Sequence, residues 1–193
     1  MTTTGRSHAT PLEHVEASGS PSITAARVLA VLRIATGFIF LWAFLDKTFG
    51  FGYSTPSERS WISGGSPTEG FLSHVEVGPL QGFFHTIAGT AWADWAFMLG
   101  LLGIGVALIL GIGLRIAAVS AALMMALMWI AEWPLAQHTS AGESSGSTNP
   151  IVDYHIVYGL VAIVSALTYA GHTWGFGRQW AELPFVRKYP WLA

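Results

Sequence analysis

The sequence contains no cysteine. That absence excludes disulfides, thiolate-bound metals, iron–sulfur clusters and thiol–disulfide redox chemistry carried by this chain. Charge is scarce as well. Nine lysines and arginines and eleven acids make up 10% of the 193 residues, against about 25% in an ordinary soluble domain. So few charges cannot give a water-soluble globule of this size its polar skin. The net charge of −2 provides no basic surface for nucleic acid. No two histidines fall within the long apolar runs, so a bis-histidine haem is not expected. No Glu-x-x-His pair marks a carboxylate di-iron bundle, and no metal is expected.

Apolar residues fill the space that charge leaves. The hydrophobic fraction is 52% and the mean hydropathy +0.49. Nine tryptophans suit a membrane–water interface, where an amphipathic ring has both its solvents. Four apolar segments run over residues 23–45, 91–112, 114–133 and 151–170. Each is about 20 residues, the length a helix needs to cross roughly 30 Å of hydrocarbon. The expected fold is therefore an all-α membrane protein, a four-helix transmembrane bundle. Residues 1–22 read as a disordered tail, 23–171 as the membrane domain and 172–193 as a C-terminal segment. The first run is too long for a signal-peptide core and no small-x-small site follows it, so no cleaved leader is expected.

Basic residues set the expected orientation. Arg6, Arg27, Arg33, Arg115, Arg178, Arg187 and Lys188 fall on one side, and only Lys47 and Arg59 on the other. The positive-inside rule then puts both termini in the cytoplasm of a cell-membrane protein. The outer side carries loops 46–90 and 134–150. In the first, Ser66-Pro67-Thr68-Glu69 matches a capping box, predicting a short helix to about Val77. Gly78-Pro79 ends it, and residues 80–88 predict a second helix lying on the membrane surface. Asn149-Pro150 is read as the cap of the fourth span. Small residues recur four apart at Gly103, Ala107 and Gly111, at Ala118, Ala122 and Ala126, and at Ala162, Ala166 and Ala170. They predict close helix packing and carry no chemistry.

Each span has one acid near its outer end: Asp46, Asp94, Glu132 and Asp153, with His155 one turn into the fourth. Trp42, Trp92, Trp95, Trp129, Trp133 and Tyr154 surround them. One reading is an interfacial belt with snorkelling charges; the other is a polar site. Helix dipoles separate the four acids. Asp94 and Asp153 sit at positive N-termini, whereas Asp46 and Glu132 sit at negative C-termini, where an acid is disfavoured. Glu132 therefore needs a partner across the bundle, and Lys47, His138 and His155 are the candidates. Arg33 and Lys47, nearly four turns apart, share a helix face with Thr36, Phe40 and Ala43. Arg33 either faces the bundle interior or snorkels to headgroups. Gly64-Gly65-Ser66-Pro67-Thr68 is either an oxyanion cup of backbone N–H groups or a plain turn and cap.

The first span resembles the opening helix of the DoxX/DoxD family of small membrane proteins, through Arg33, Gly37 and Lys47 in "RIATGFIFLWAFLDK". The loop "WISGGSPTEGFL" is similar to the DoxD branch, and "GIGVALILGIGLRIAA" to the family's second-to-third helix junction. The resemblance implies a four-helix membrane subunit. For the DoxD branch it implies a subunit of thiosulfate:quinone oxidoreductase, which yields tetrathionate. On that reading the oxyanion docks near Lys47, Arg59, Gly64, Gly65 and Ser66. Quinone enters beneath the tryptophans, beside Trp42, Asp46, Asp94, Trp129 and Asp153, with Glu132 or His155 relaying protons. Arg33 and Gly37 have structural roles. Without haem, iron–sulfur or flavin motifs, electrons pass directly or through a partner subunit. The rival reading is a non-enzymatic membrane anchor or assembly partner, whose outer ring docks another protein.

Overall fold

The computed structural model describes residues 22–193. The tail expected over residues 1–22 lies outside that range apart from Ser22. The described chain is helical, with an isolated bridge between His138 and Ser144 as its only β pairing. Helix α1 is Ile23–Phe49, and Ser22 caps its start by accepting from the Ala25 N–H at 3.2 Å. Two short helices follow in the first loop, α2 (Glu69–Leu72) and α3 (Gln81–Ile87). Helix α4 is Ala91–Leu110, α5 is Leu114–Glu132 and α6 is Tyr154–Leu167. The C-terminal segment forms α7 (Gly177–Glu182) and α8 (Pro184–Lys188).

Helices α1, α4 and α5 are each long and apolar enough to cross a membrane. Their sides are dressed for lipid. Phe38, Leu99, Val119 and Leu123 are all more than half exposed, an apolar surface that water would not tolerate over such an area. Helix α6 departs from expectation. It has 14 residues, about 21 Å at 1.5 Å per residue, short of the hydrocarbon thickness. The cause is its ends. Asp153, not Asn149, is the cap: its carboxylate accepts from the His155 and Ile156 N–H groups. Asn149 instead accepts from Ile151 and Val152 in a turn before the helix. At the other end Tyr169 takes a left-handed conformation with φ 50°, which stops the helix at Thr168.

The packing is pairwise. α1 lies on α4 and α5 on α6, while α4 against α5 and α1 against α6 close the group. Phe40, Met98, Leu101, Ile104, Leu108, Leu114, Ala118, Ala121, Met125, Ala162 and Ala166 form the shared core. The α1–α4 contact is backbone to backbone. A Cβ on Gly37 would come within 2.8 Å of Leu108 Cβ and 2.9 Å of the Ile109 nitrogen, and one on Gly105 within 2.7 Å of the Leu41 nitrogen. The small-residue stripe expected at Gly103 is displaced, since a Cβ there meets nothing. Its neighbour two residues on makes the contact because the helix turns 100° per residue. Ala162 and Ala166 on α6 and Ala170 in the turn after it are buried, whereas Ala126 of α5 is exposed.

In the first loop, α2 spans only four residues and stops at Leu72. Ser66 Oγ accepts from the Glu69 N–H at 3.0 Å, the forward half of the capping box. Leu72, Val75 and Phe84 pack on Ala131 at the end of α5 as a second small core. α7 and α8 close the other end of the bundle through Val186, 1% exposed. Exposed Trp174, Phe176, Phe185 and Trp191 stand beside Arg178, Arg187 and Lys188 there, a mixture suited to a headgroup layer.

Candidate functional site

Arg33 is completely buried, so it does not snorkel. Its Nη1 donates to the Leu108 carbonyl and, at 2.9 Å, to the Ile109 carbonyl. Its Nη2 donates to the carbonyls of Thr173 at 3.3 Å and Trp174 at 3.0 Å. The guanidinium thus completes the C-terminus of α4, where carbonyls lack intrahelical partners and a cation is favoured. It also ties that end to the segment leading into α7. Gly111, Gly171 and Gly175 make room: a Cβ on Gly111 would lie 3.1 Å from Nη1, and one on Gly175 3.1 Å from Nη2. These contacts hold the end of α4 to the C-terminal segment.

At the opposite end the sequence-predicted residues separate into distinct places. Asp46 is 1% exposed and anchors the turn after α1. Its carboxylate accepts from the Tyr53 N–H at 3.3 Å, the Ser54 N–H at 3.0 Å and the Ser54 hydroxyl at 2.7 Å. That turn carries Phe51 and Tyr53 onto Trp42, with ring centroids 5.7 and 5.2 Å apart. Trp42 and Asp46 are therefore both occupied with the turn after α1. Lys47, on the same helix face as Arg33, is half-buried, and Arg59 is exposed. Among the described residues neither forms an ion pair.

The second place lies between α5 and α6. His155 is fully buried, and its Nδ1 is 2.9 Å from Asp153 Oδ2 and 3.9 Å from Glu132 Oε2. Glu132 Oε1 accepts from the Tyr154 hydroxyl at 2.7 Å. Trp129 closes the side by donating Nε1–H to the Ile151 carbonyl at 2.9 Å. The partner that Glu132 needs is thus a phenol and, more loosely, His155, rather than Lys47 or His138. With Nδ1–H held by Asp153, the far nitrogen of a neutral His155 ring is an acceptor. That nitrogen, Nε2, is buried and has no hydrogen-bond partner. Glu132, at the surface, thus stands 3.9 Å from Nδ1 of a ring whose Nε2 is buried and unpartnered. The three side chains His155, Asp153 and Glu132 also bring one ligand atom each within 4.8 Å of the others. Tyr154, which donates to Glu132, stands in the sequence only as one of the surrounding aromatics. Its place directly before His155 is the signal for it, since a first-turn helical residue can reach the last turn of a neighbouring helix.

The third place is an open cleft of about 420 Å³ beside the start of α4. Gly64, Gly65, Ser66 and Asp94 line it with Trp61, Glu69, Gly89, Ala91 and Trp95. Asp94 Oδ1 accepts from the Ser66 hydroxyl at 2.8 Å, the Thr68 N–H at 3.1 Å and the Thr68 hydroxyl at 2.6 Å. Of the two readings of this turn, the cap is the one seen, and the groups that an oxyanion would need hold a carboxylate of the protein itself. Asp94 is not part of the α5–α6 group, because α4 lies diagonally across from α6.

A lipid-exposed helical core with polar groups gathered at one end defines a multi-pass membrane protein. The family model named DoxX matches residues 28–133, more than half of the chain. The protein belongs to the DoxX family. No curated protein and no solved structure shows a match. The matched range covers α1, α4 and α5 with the first loop, and ends before α6, which supplies Asp153, Tyr154 and His155.

Proposed function

We propose that this DoxX-family protein is a membrane redox subunit with a quinone site at the end of the bundle where α5 meets α6. The observation that carries the reading is His155. A fully buried imidazole with one nitrogen on a carboxylate and the other unpartnered is costly unless something occupies that nitrogen. A quinone oxygen entering from the bilayer would accept from a protonated Nε2, and a hydroquinone hydroxyl would donate to a neutral one. Reduction of a quinone consumes two electrons and two protons. Glu132, 36% exposed on its side chain and 3.9 Å from the His155 ring, would load His155 from water. Thiosulfate, two of which give tetrathionate and two electrons, fits Lys47 and Arg59 better than the Gly64–Ser66 turn, where the Asp94 carboxylate would repel it. Electrons reach the quinone directly or through a partner subunit.

Purification from membranes with extraction of bound quinone tests the reading. Quinone should co-purify, and thiosulfate should reduce it. Glu132→Gln keeps an acceptor for Tyr154 and should leave thermal stability within about 1 kcal/mol. It should slow quinone reduction by about 100-fold or more, the scale of a lost general acid. Full activity in Glu132→Gln would remove the relay. No quinone and no reduction, with a stoichiometric protein partner bound, would favour the anchor reading. The exposed Tyr53 and Ile62 of the first loop are the observation on that side.

The orientation belongs to the same proposal, with α6 and its flanks making the fourth crossing in a cell membrane. Single cysteines at Ser57 and Ser144 should react with an impermeant thiol reagent on intact cells. One at Gln179 should react only after permeabilisation. The cysteine-free background makes the signal unambiguous. If Ser144 and Gln179 label alike, α6 does not cross.

A further inference from the structure

We infer that the cleft at the start of α4 binds a small organic cation bearing N–H donors, an alkylammonium or alkylguanidinium group. The inference does not rest on the redox reading. Asp94 is only 7% exposed. All three of its hydrogen bonds converge on Oδ1, while Oδ2 takes none from the described residues and is not sealed off. A carboxylate this buried, with one oxygen fixed by the loop and the other without a partner, is a pre-oriented acceptor in the lining of the cleft. Charge selects what it accepts. Asp94 and Glu69 line the cleft, and no lysine, arginine or histidine does. An anion would meet two carboxylates; a cation would meet a charge-assisted hydrogen bond.

Aromatic rings supply the rest. Trp61 and Trp95 pack edge to face with centroids 4.6 Å apart at the rim. A tryptophan face attracts a cation through its quadrupole, and its apolar area holds an alkyl stem. Gly64, Gly65 and Gly89 add backbone to the lining, with room at Gly64, where a Cβ would meet nothing within 4 Å. The cleft volume, about 420 Å³, suits a metabolite-sized ligand rather than a bare ion. The Gly-rich turn thus serves close approach, and the long-range arrival of Asp94 sets the sign of the site.

Isothermal titration of the full chain in detergent with n-butylamine, n-butylguanidinium, tetramethylammonium, butyrate and thiosulfate tests this. The two N–H cations should bind saturably and more tightly than tetramethylammonium, which cannot donate to Oδ2. Asp94→Asn should weaken them at least 10-fold. Because Asp94 also holds Thr68, Trp95→Ala is the second variant. Trp95 is 55% exposed, so its truncation should leave the thermal midpoint in place and still weaken binding several-fold. No saturable binding of either cation by the wild type would overturn the inference. So would cation binding unchanged by both substitutions, or thiosulfate binding that Asp94→Asn strengthens without any cation binding. Loss of cation binding in these variants with quinone reduction intact would support the cleft alone, and the reverse pattern in Glu132→Gln concerns only the redox site.

Discussion

Replacing Arg33 with methionine is expected to destabilise the protein by about 3–5 kcal/mol. Four backbone carbonyls lose their donor, from Leu108, Ile109, Thr173 and Trp174. Each buried acceptor left without a partner costs about 1–3 kcal/mol, and the favourable cation at the end of α4 is lost as well. Against this, methionine avoids the desolvation of a buried guanidinium, which is why the expected total is smaller than the sum of four bonds. Water cannot substitute easily, because Gly111 and Gly175 bring backbone to within van der Waals range of the guanidinium, and Gly171 packs directly on Gly111. For a chain of this length the apparent melting midpoint in detergent should fall by roughly 6–20 °C. Arg33→Lys should recover less than half of that. A single ammonium cannot reach two separate segments with the planar fork that arginine offers. An unchanged midpoint in Arg33→Met would show that the four carbonyls find other partners and that this knot is incidental.

Alanine at Gly37 or Gly105 should cost about 1–3 kcal/mol each, the range for overpacking a tight contact. The atoms that a new methyl would strike are mostly backbone, of Ile109 and Gly105 in one case and of Leu41 in the other. They cannot rotate away, so α1 and α4 must separate along their crossing. Gly103→Ala is the matched control, two residues from Gly105 on the same helix. A methyl there meets open space, and the gain in helix propensity, up to about 1 kcal/mol, should appear as unchanged or raised stability. Because Gly37 and Gly105 serve one contact, the double substitution should cost less than the two singles added. Equal midpoints for Gly103→Ala and Gly105→Ala would mean that the crossing is looser than 2.7 Å approaches imply.

Several features were legible because they are local. Length and hydropathy alone mark α1, α4 and α5, since a span must satisfy its own backbone in lipid. The Gly111-Ile112-Gly113 break is legible too: both glycines take positive φ, 71° and 57°, which few other residues adopt freely. The shared face of Arg33, Thr36 and Phe40 follows from helical period, and those residues are buried. The shortening of α6 was not legible. Residues 151–170 are mostly apolar, and the Asp153 cap with the turn at Asn149 before it, and the left-handed Tyr169 at the other end, cut the helix back.

The sequence by itself determined that this is an all-helical membrane protein, which residues can enter lipid, and that an acid stands near one end of each predicted span. Only the tertiary structure decided what each acid does. Asp46 ties down a loop, Asp153 caps α6 and orients His155, Glu132 meets Tyr154, and Asp94 makes an acidic cleft of a turn that could also be read as an anion cup. Those outcomes depend on groups 7 residues away in one case, and 22 and 28 in others. Helical period and turn chemistry act over a few residues. Which side chains meet across a bundle is set by how the helices cross, and here the crossing is set by two glycines, Gly37 and Gly105, where α1 and α4 touch.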